Sequence, residues 1–106
     1  MATGRLGHAD LAAGTNTSLY TVPANTFGIV TLSICNRGNS AISVRVAVAS
    51  AGTPLDSEYI EYDVEILAKG VLERSGIALA AGQILVVYSS AVNVSAVAMG
   101  IETSTA

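Results

Sequence analysis

The chain has 106 residues, of which only 12% are charged, and its formal net charge is −3. This length suits one domain, and its five basic residues form no basic run that would indicate nucleic-acid binding. The stretch between Arg74 and Glu102 carries no charge, but glycine, glutamine and paired serines interrupt it, so it predicts strands and turns rather than a membrane helix.

Residues 1–14 differ from the rest because they show no sustained apolar period. Three of the ten glycines fall among them. A segment without an apolar face has little to bury, so we predict an N-terminal arm outside the core. Arg5, Leu6, His8 and Leu11 give this arm polar and apolar contacts with which it could order against a neighbouring surface. The folded domain is then predicted to span residues 15–106.

The first strand signals follow directly after the arm. Residues 19–22 are β-branched and aromatic, and residues 27–35 form a longer apolar segment. Residues 41–49 alternate strictly between large apolar side chains and small or polar ones. The turn at 36–39 contains glycine and two asparagines, which favour tight turns, so segments 27–35 and 41–49 predict a β-hairpin.

Further short strands complete the chain. They are predicted at residues 59–66, 71–75, 77–79, 84–88 and 92–101, after a longer loop at 51–56. Seven or eight strands without a convincing helix predict an all-β fold, a single antiparallel β-sandwich of jelly-roll or immunoglobulin-like type. The alternation predicts a core that includes Val30, Leu32, Ile34, Ile42, Val44, Val46, Ile60, Tyr62, Val64, Ile84, Val86 and Val94.

Residues that could carry chemistry are few and scattered. His8 is the only histidine, so neither a zinc-binding pair nor a His-based catalytic arrangement is available. The carboxylates of residues 61–65 would lie in a row, which does not converge on a metal ion, and we expect them to be solvated and to pair with Arg45 or Arg74. The single Cys35 is expected to be a buried thiol. We therefore predict no enzymatic activity, no cofactor and no metal.

The low charge indicates that partner chains cover part of the surface. Ala47, Ala49, Val97 and Met99 fall on alternate positions where solvent-facing polar residues would be expected. Closed cyclic symmetry buries such a face without forming a filament, so we predict a homo-oligomer, specifically a homotrimer. The predicted interface combines these four residues with Arg5, Leu6, His8 and Leu11 of the arm.

Several sequence segments resemble those of a known group of proteins. The segments LGHADL, LYTVPANT, ICNRG, GTPLDSEYIEYD and GVLERSGIALAAGQ are similar to small β-sandwich virion proteins of tailed bacteriophages. That group includes capsid decoration (cement) proteins and tail- or fibre-associated modules. The resemblance spans nearly the whole chain and implies a cyclic assembly attached to the capsid or tail, with no catalytic residues.

Within that group the short, self-contained chain favours a capsid decoration protein. The expected partners are further copies of the chain and the major capsid protein or another virion protein, with neither nucleic acid nor membrane involved. The expected location is the virion, assembled in the cytoplasm of a bacterial host. The alternative is a receptor- or glycan-binding module of the tail or fibre, which exposed aromatic loops would favour.

Overall fold

The computed structural model describes residues 3–105 and consists almost entirely of β-strands. Its elements are β1 (Thr3–Leu11), β2 (Thr15–Thr21), β3 (Thr26–Asn36), β4 (Ile42–Ala49), a 3-10 turn (Asp56–Glu58), β5 (Tyr59–Ile66), β6 (Val71–Leu79), β7 (Ile84–Ser89) and β8 (Val94–Ser104). Among the described residues, no helix is long and apolar enough to cross a membrane.

The strands form two four-stranded antiparallel sheets that pack face to face. Sheet A has the order β1-β8-β3-β6, and sheet B has the order β2-β7-β4-β5. The predicted all-β sandwich is confirmed. The pairs β1/β8, β2/β7, β3/β6 and β4/β5 are nested, as in a long hairpin rolled upon itself, which defines the jelly roll rather than the immunoglobulin-like arrangement.

The predicted hairpin of residues 27–35 and 41–49 is wrong in its pairing. Both segments are strands, but β3 lies in sheet A between β8 and β6, whereas β4 lies in sheet B between β7 and β5. The turn at 36–39 therefore carries the chain from one sheet to the other. The uncharged stretch after Arg74 contains β7 and β8, which likewise belong to different sheets and do not pair with each other.

The core lies between the two sheets and follows the predicted alternation over most of its length. Val30, Leu32, Ile34, Ile42, Val44, Val46 and Val94 are buried in one cluster, and Ile60 and Val64 are partly buried against it. The same cluster also contains buried residues from other parts of both sheets and their connections, namely Leu11, Leu19, Tyr20, Val22, Ile66, Ile77, Leu79, Leu85, Val87, Ala96 and Ala98.

Tyr62 is not in the core, contrary to its prediction. Val46 pairs with Glu61 and Val44 with Val64, so β5 contains one more residue than β4 over this interval. Asp63 adopts φ 53° within this bulge. An extra residue reverses the side to which the next side chains point, and Tyr62 is consequently 56% exposed on the outer side of sheet B.

Two further predicted core residues pack on the outer side of sheet B instead of between the sheets. Val86 is buried there together with Ala47 and Ala49, and Ile84 and Tyr59 are partly buried against them. Tyr59, the first residue of β5, lies opposite Ala47 in the register and packs against this second cluster. Sheet B is thus apolar on both sides over part of its surface.

The N-terminal segment is a strand rather than an arm. Over Thr3–Leu11 it pairs with β8, and Leu11 is buried in the core; residues 1 and 2 of the predicted arm lie outside the described residues. The register shifts between Arg5 and Gly7, so a bulge at Leu6 breaks the alternation that would have revealed the strand. At Gly7 a Cβ would lie 2.2 Å from the carbonyl oxygen of Leu19, so β1 and β2 approach more closely than a side chain allows.

Candidate functional site

The outer face of sheet A carries a continuous apolar surface, which we call the apolar face, formed by Phe27, Ile29, Val97, Met99 and Ile101. Phe27 and Ile29 of β3 are 39% and 45% exposed, and Met99 and Ile101 of β8 are 37% and 55% exposed. Ile29 lies directly opposite Ile101, in the centre of the sheet. The inward side of these two central strands contributes Val30, Leu32, Ile34, Val94, Ala96 and Ala98 to the core, so both strands carry apolar residues on both faces.

Charged residues border the apolar face on its two edge strands. On β1, Arg5 pairs in register with Met99 and His8 with Val97, and both side chains are exposed. On β6, the exposed Glu73 lies opposite Ser33 of β3. The surface is therefore an apolar centre with a basic residue and a histidine along one edge and a carboxylate along the other.

The predicted interface residues lie in three places in the fold: the outer face of sheet A, the core, and the second cluster on sheet B. Arg5, His8, Val97 and Met99 share the outer face of sheet A, where the register brings them together. Leu6 packs against the core and Leu11 lies within it, because the bulge in β1 turns both inward.

Ala47 and Ala49 are not available to a partner, contrary to expectation. Both are fully buried in the second cluster, with Tyr59 and Ile84 packed against them. Their small side chains leave room for the tyrosine ring above the strand. The sequence pattern placed them correctly on the outer side of β4 but gave no sign that Tyr59 of β5 and Ile84 of β7 pack against them.

The apolar face contains three residues that the sequence prediction of the interface omitted. Phe27, Ile29 and Ile101 are exposed, although they lie in strands whose alternate residues are buried. A usable signal existed in the segment FGIV, where apolar residues occupy both faces of the predicted strand. Cys35 lies on this same side of β3 and is partly exposed rather than buried.

The outer side of sheet B carries a cluster of tyrosines around Arg45. The guanidinium carbon of Arg45 lies 4.3 Å from the ring centroid of Tyr62 and 4.6 Å from that of Tyr88. Its Nε donates to Oδ1 of Asp63 at 2.6 Å, and this hydrogen bond raises the pKa of Arg45 above its ordinary value. The cation is held by two aromatic faces and a carboxylate.

The acidic residues of β5 are partly neutralised by arginines, as predicted. Asp63 pairs with Arg45, and Oε2 of Glu61 lies 2.7 Å from Nη1 of Arg74. The second pair links β5 of sheet B to β6 of sheet A and so bridges the two sheets at one edge. Within residues 3–105 no group of three or more His, Cys, Asp or Glu side chains could hold a metal ion.

Comparisons of the chain with protein-family models, with curated proteins and with solved structures find no match. We therefore infer function from the two surfaces described above.

Proposed function

We propose that this chain is a non-enzymatic structural protein of a bacteriophage virion, a capsid decoration (cement) protein that self-associates and adheres to the shell. The observation that carries the proposal is the apolar face of sheet A. Four of its large side chains are more than a third exposed, in a chain with only 12% charged residues. A contiguous exposed apolar patch on a folded domain marks an interaction surface rather than a solvated one.

The architecture supports an assembly role in two ways. Eight-stranded jelly rolls recur in viral capsid domains, although they also occur in lectins, so the fold alone does not decide the function. An exposed apolar sheet face is suited to contact the surface of another protein chain. The sequence resemblance to phage virion proteins agrees with the same role.

Self-association is part of the proposal, with the homotrimer as the expected assembly. A cyclic arrangement would bury the apolar face between copies and leave the charged residues of its edges at the rim. The remaining surface would contact the major capsid protein or another virion protein. Arg5 on one edge and Glu73 on the other provide opposite charges for neighbours to match.

The deciding experiment is an electron-microscopy reconstruction of the particle that carries this protein. We expect symmetric copies on the outside of the shell, each with the apolar face of sheet A against a neighbouring chain. Density for the chain in the tail or its fibres would overturn the decoration role and support a receptor- or glycan-binding module instead. Density on the shell with the apolar face open to solvent would leave the location correct but refute the proposed contact surface.

A further inference from the structure

Sheet B already contains one bound guanidinium group, that of Arg45. Two tyrosine faces, those of Tyr62 and Tyr88, lie within 4.6 Å of its carbon atom. Asp63 accepts hydrogen bonds from Nε at 2.6 Å and from Nη2 at 3.4 Å. Aromatic faces attract cations, and a carboxylate is the natural two-point acceptor for a guanidinium group. The cluster shows which combination of groups this surface uses to hold such a cation.

An open pocket next to Arg45 is lined by the same kinds of group, two tyrosine rings and a carboxylate. The pocket has a volume of about 460 Å³ and is lined by Asp56, Tyr59 and Tyr62. The rings of Tyr59 and Tyr62 stand nearly perpendicular, at 84°, with their centroids 5.0 Å apart, so they form two walls of a corner. Asp56 supplies a carboxylate at the same pocket.

No cation among the described residues fills this pocket. Within residues 3–105, the basic groups of Arg37, Arg45 and Arg74 pair with Asp10, Asp63 and Glu61, Lys69 donates to a backbone carbonyl, and Arg5 lies on the opposite sheet. The carboxylate of Asp56 makes no hydrogen bond or ion pair with any of the described residues. The pocket therefore has the acceptor and the aromatic walls without an internal partner.

The walls of the pocket are fixed before any ligand arrives. Tyr59 packs on the buried Ala47 and Ala49. The loop that carries Asp56 is tied by Glu58, whose carboxylate accepts hydrogen bonds from the backbone nitrogens of Ser50, at 3.2 Å, and Leu55, at 2.8 Å. Because its side chains and loop are already ordered, such a site loses little conformational entropy when a ligand binds.

The geometry favours a compact cation over a sugar ring. A sugar stacks on an open flat aromatic face, but Arg45 already covers part of Tyr62 and the ring of Tyr59 stands across it. The carboxylates of Asp56, Glu58 and Asp63 make this side of the molecule acidic. From these observations we infer that the pocket of Asp56, Tyr59 and Tyr62 binds the guanidinium group of an arginine side chain on a partner protein.

The test is a titration of the whole chain with N-acetyl-arginine amide, followed by nuclear magnetic resonance. Shifts should concentrate at Asp56, Tyr59 and Tyr62, and N-acetyl-citrulline amide, which is neutral and nearly the same shape, should bind at least about fivefold more weakly. Asp56→Asn should weaken arginine binding about fivefold or more, while Glu65→Gln, which removes an exposed carboxylate near the far end of β5, should leave it nearly unchanged.

Tyr59→Phe keeps the aromatic wall and should also bind arginine amide normally, whereas Tyr62→Leu removes a wall from an exposed position and should weaken binding. Equal binding of citrulline amide, unchanged binding by a folded Asp56→Asn variant, or an absence of shifts would overturn the inference. Shifts at the same residues with methyl glucoside but not with arginine amide would also overturn it and identify a sugar site. Because the pocket lies on sheet B, these outcomes are independent of the proposed contact through sheet A.

Discussion

At the scale of single residues, one buried amide directs the chain between the sheets. Asn36 is fully buried at the end of β3, where its Nδ2 donates to the carbonyl oxygens of Ser40, Ile66 and Leu67 at 2.8, 3.1 and 3.2 Å. Its Oδ1 accepts a hydrogen bond from the backbone of Gly38 at 3.0 Å. This side chain satisfies carbonyls of two different loops and fixes the turn that leads away from sheet A.

We therefore expect Asn36→Asp to be severely destabilising. The carboxylate keeps the size of the side chain but faces carbonyl oxygens to which it cannot donate, and a buried unpaired charge costs about 3 kcal/mol or more. Thermal unfolding followed by circular dichroism should show a melting temperature lower by more than about 10 °C. Asn39→Asp, at an exposed position of the same turn, is the control and should melt nearly as the natural chain does.

A second residue-scale prediction concerns alkaline pH. Tyr20 is buried in the core and its hydroxyl donates to Oε2 of Glu102 at 2.5 Å, which joins β2 of sheet B to β8 of sheet A. Burial, followed by the hydrogen bond and the charge of Glu102, raises the pKa of Tyr20 well above its ordinary value of 10.0. The neutral phenol therefore stabilises the fold fully below about pH 10, and this stabilisation is lost as the pH rises further.

Thermal unfolding between about pH 7 and pH 11 should consequently show a steep loss of stability above about pH 10. Tyr20→Phe should cost about 1 kcal/mol at neutral pH and flatten that alkaline slope. The tyrosine absorbance of the natural chain and of Tyr20→Phe should differ by one phenol, which ionises well above pH 10. A difference that shows Tyr20 ionising near its ordinary pKa of 10.0 would contradict this account.

At the scale of elements, the sequence predicted where strands lie far better than which strands pair. Segments 27–35 and 41–49 correspond closely to Thr26–Asn36 and Ile42–Ala49. Alternation identifies the buried face of a strand but contains no information about its neighbour, and most neighbours in this fold are distant in the chain. Bulges caused two of the remaining errors, because one extra residue in a strand hid β1 and another turned Tyr62 outward.

The two candidate surfaces were predictable to different degrees. Val97 and Met99 were found because apolar residues at outward positions of a strand are visible in the sequence. The tyrosine pocket was not found, since Asp56 and Tyr62 meet only through the loop conformation and the bulge in β5. Ala47 and Ala49 show the reverse case, in which an outward apolar position is covered by a later part of the same chain.

The strand β1 gives a prediction that reverses the expectation of a dispensable arm. Leu11 is buried, and β1 pairs along its own length with residues 94–101 of β8. Leu11→Ala should cost about 2–5 kcal/mol because it leaves a cavity in the core. Deletion of residues 2–12 should be more damaging still, since it also exposes an unpaired sheet edge.

Thermal or denaturant unfolding measures both effects, with Arg5→Ala as the control at an exposed position of the same strand. We expect Arg5→Ala to melt within a few degrees of the natural chain and Leu11→Ala to melt lower by about 10 °C or more. A truncated chain that melts like the full chain would show that β1 is dispensable, and would restore the interpretation of this segment as an attachment arm.

At the scale of the whole molecule, the sandwich has two outer faces with different chemistry. Sheet A presents aliphatic side chains and one phenylalanine between charged edges, whereas sheet B presents tyrosines, arginine and carboxylates. A protein that adheres in many copies to a large assembly needs more than one contact surface. An apolar face suits a permanent contact between copies, and a polar aromatic face suits a weaker contact with another protein.

The apolar face can be tested by making it polar without weakening the strands. In the double variant Ile29→Thr with Ile101→Thr, both substitutions keep a β-branched side chain and face outward, so the stability of the single chain should change by no more than about 1 kcal/mol. Light scattering should show an oligomer for the natural chain and a monomer for the variant. The matched control replaces Leu67 and Val92, which are more exposed than Ile29 and Ile101 but lie in loops, by threonine, and it should remain oligomeric. If the natural chain is monomeric at micromolar concentration, self-association is refuted. If the variant stays oligomeric, the copies meet through another surface, and the apolar face is free to contact a different protein.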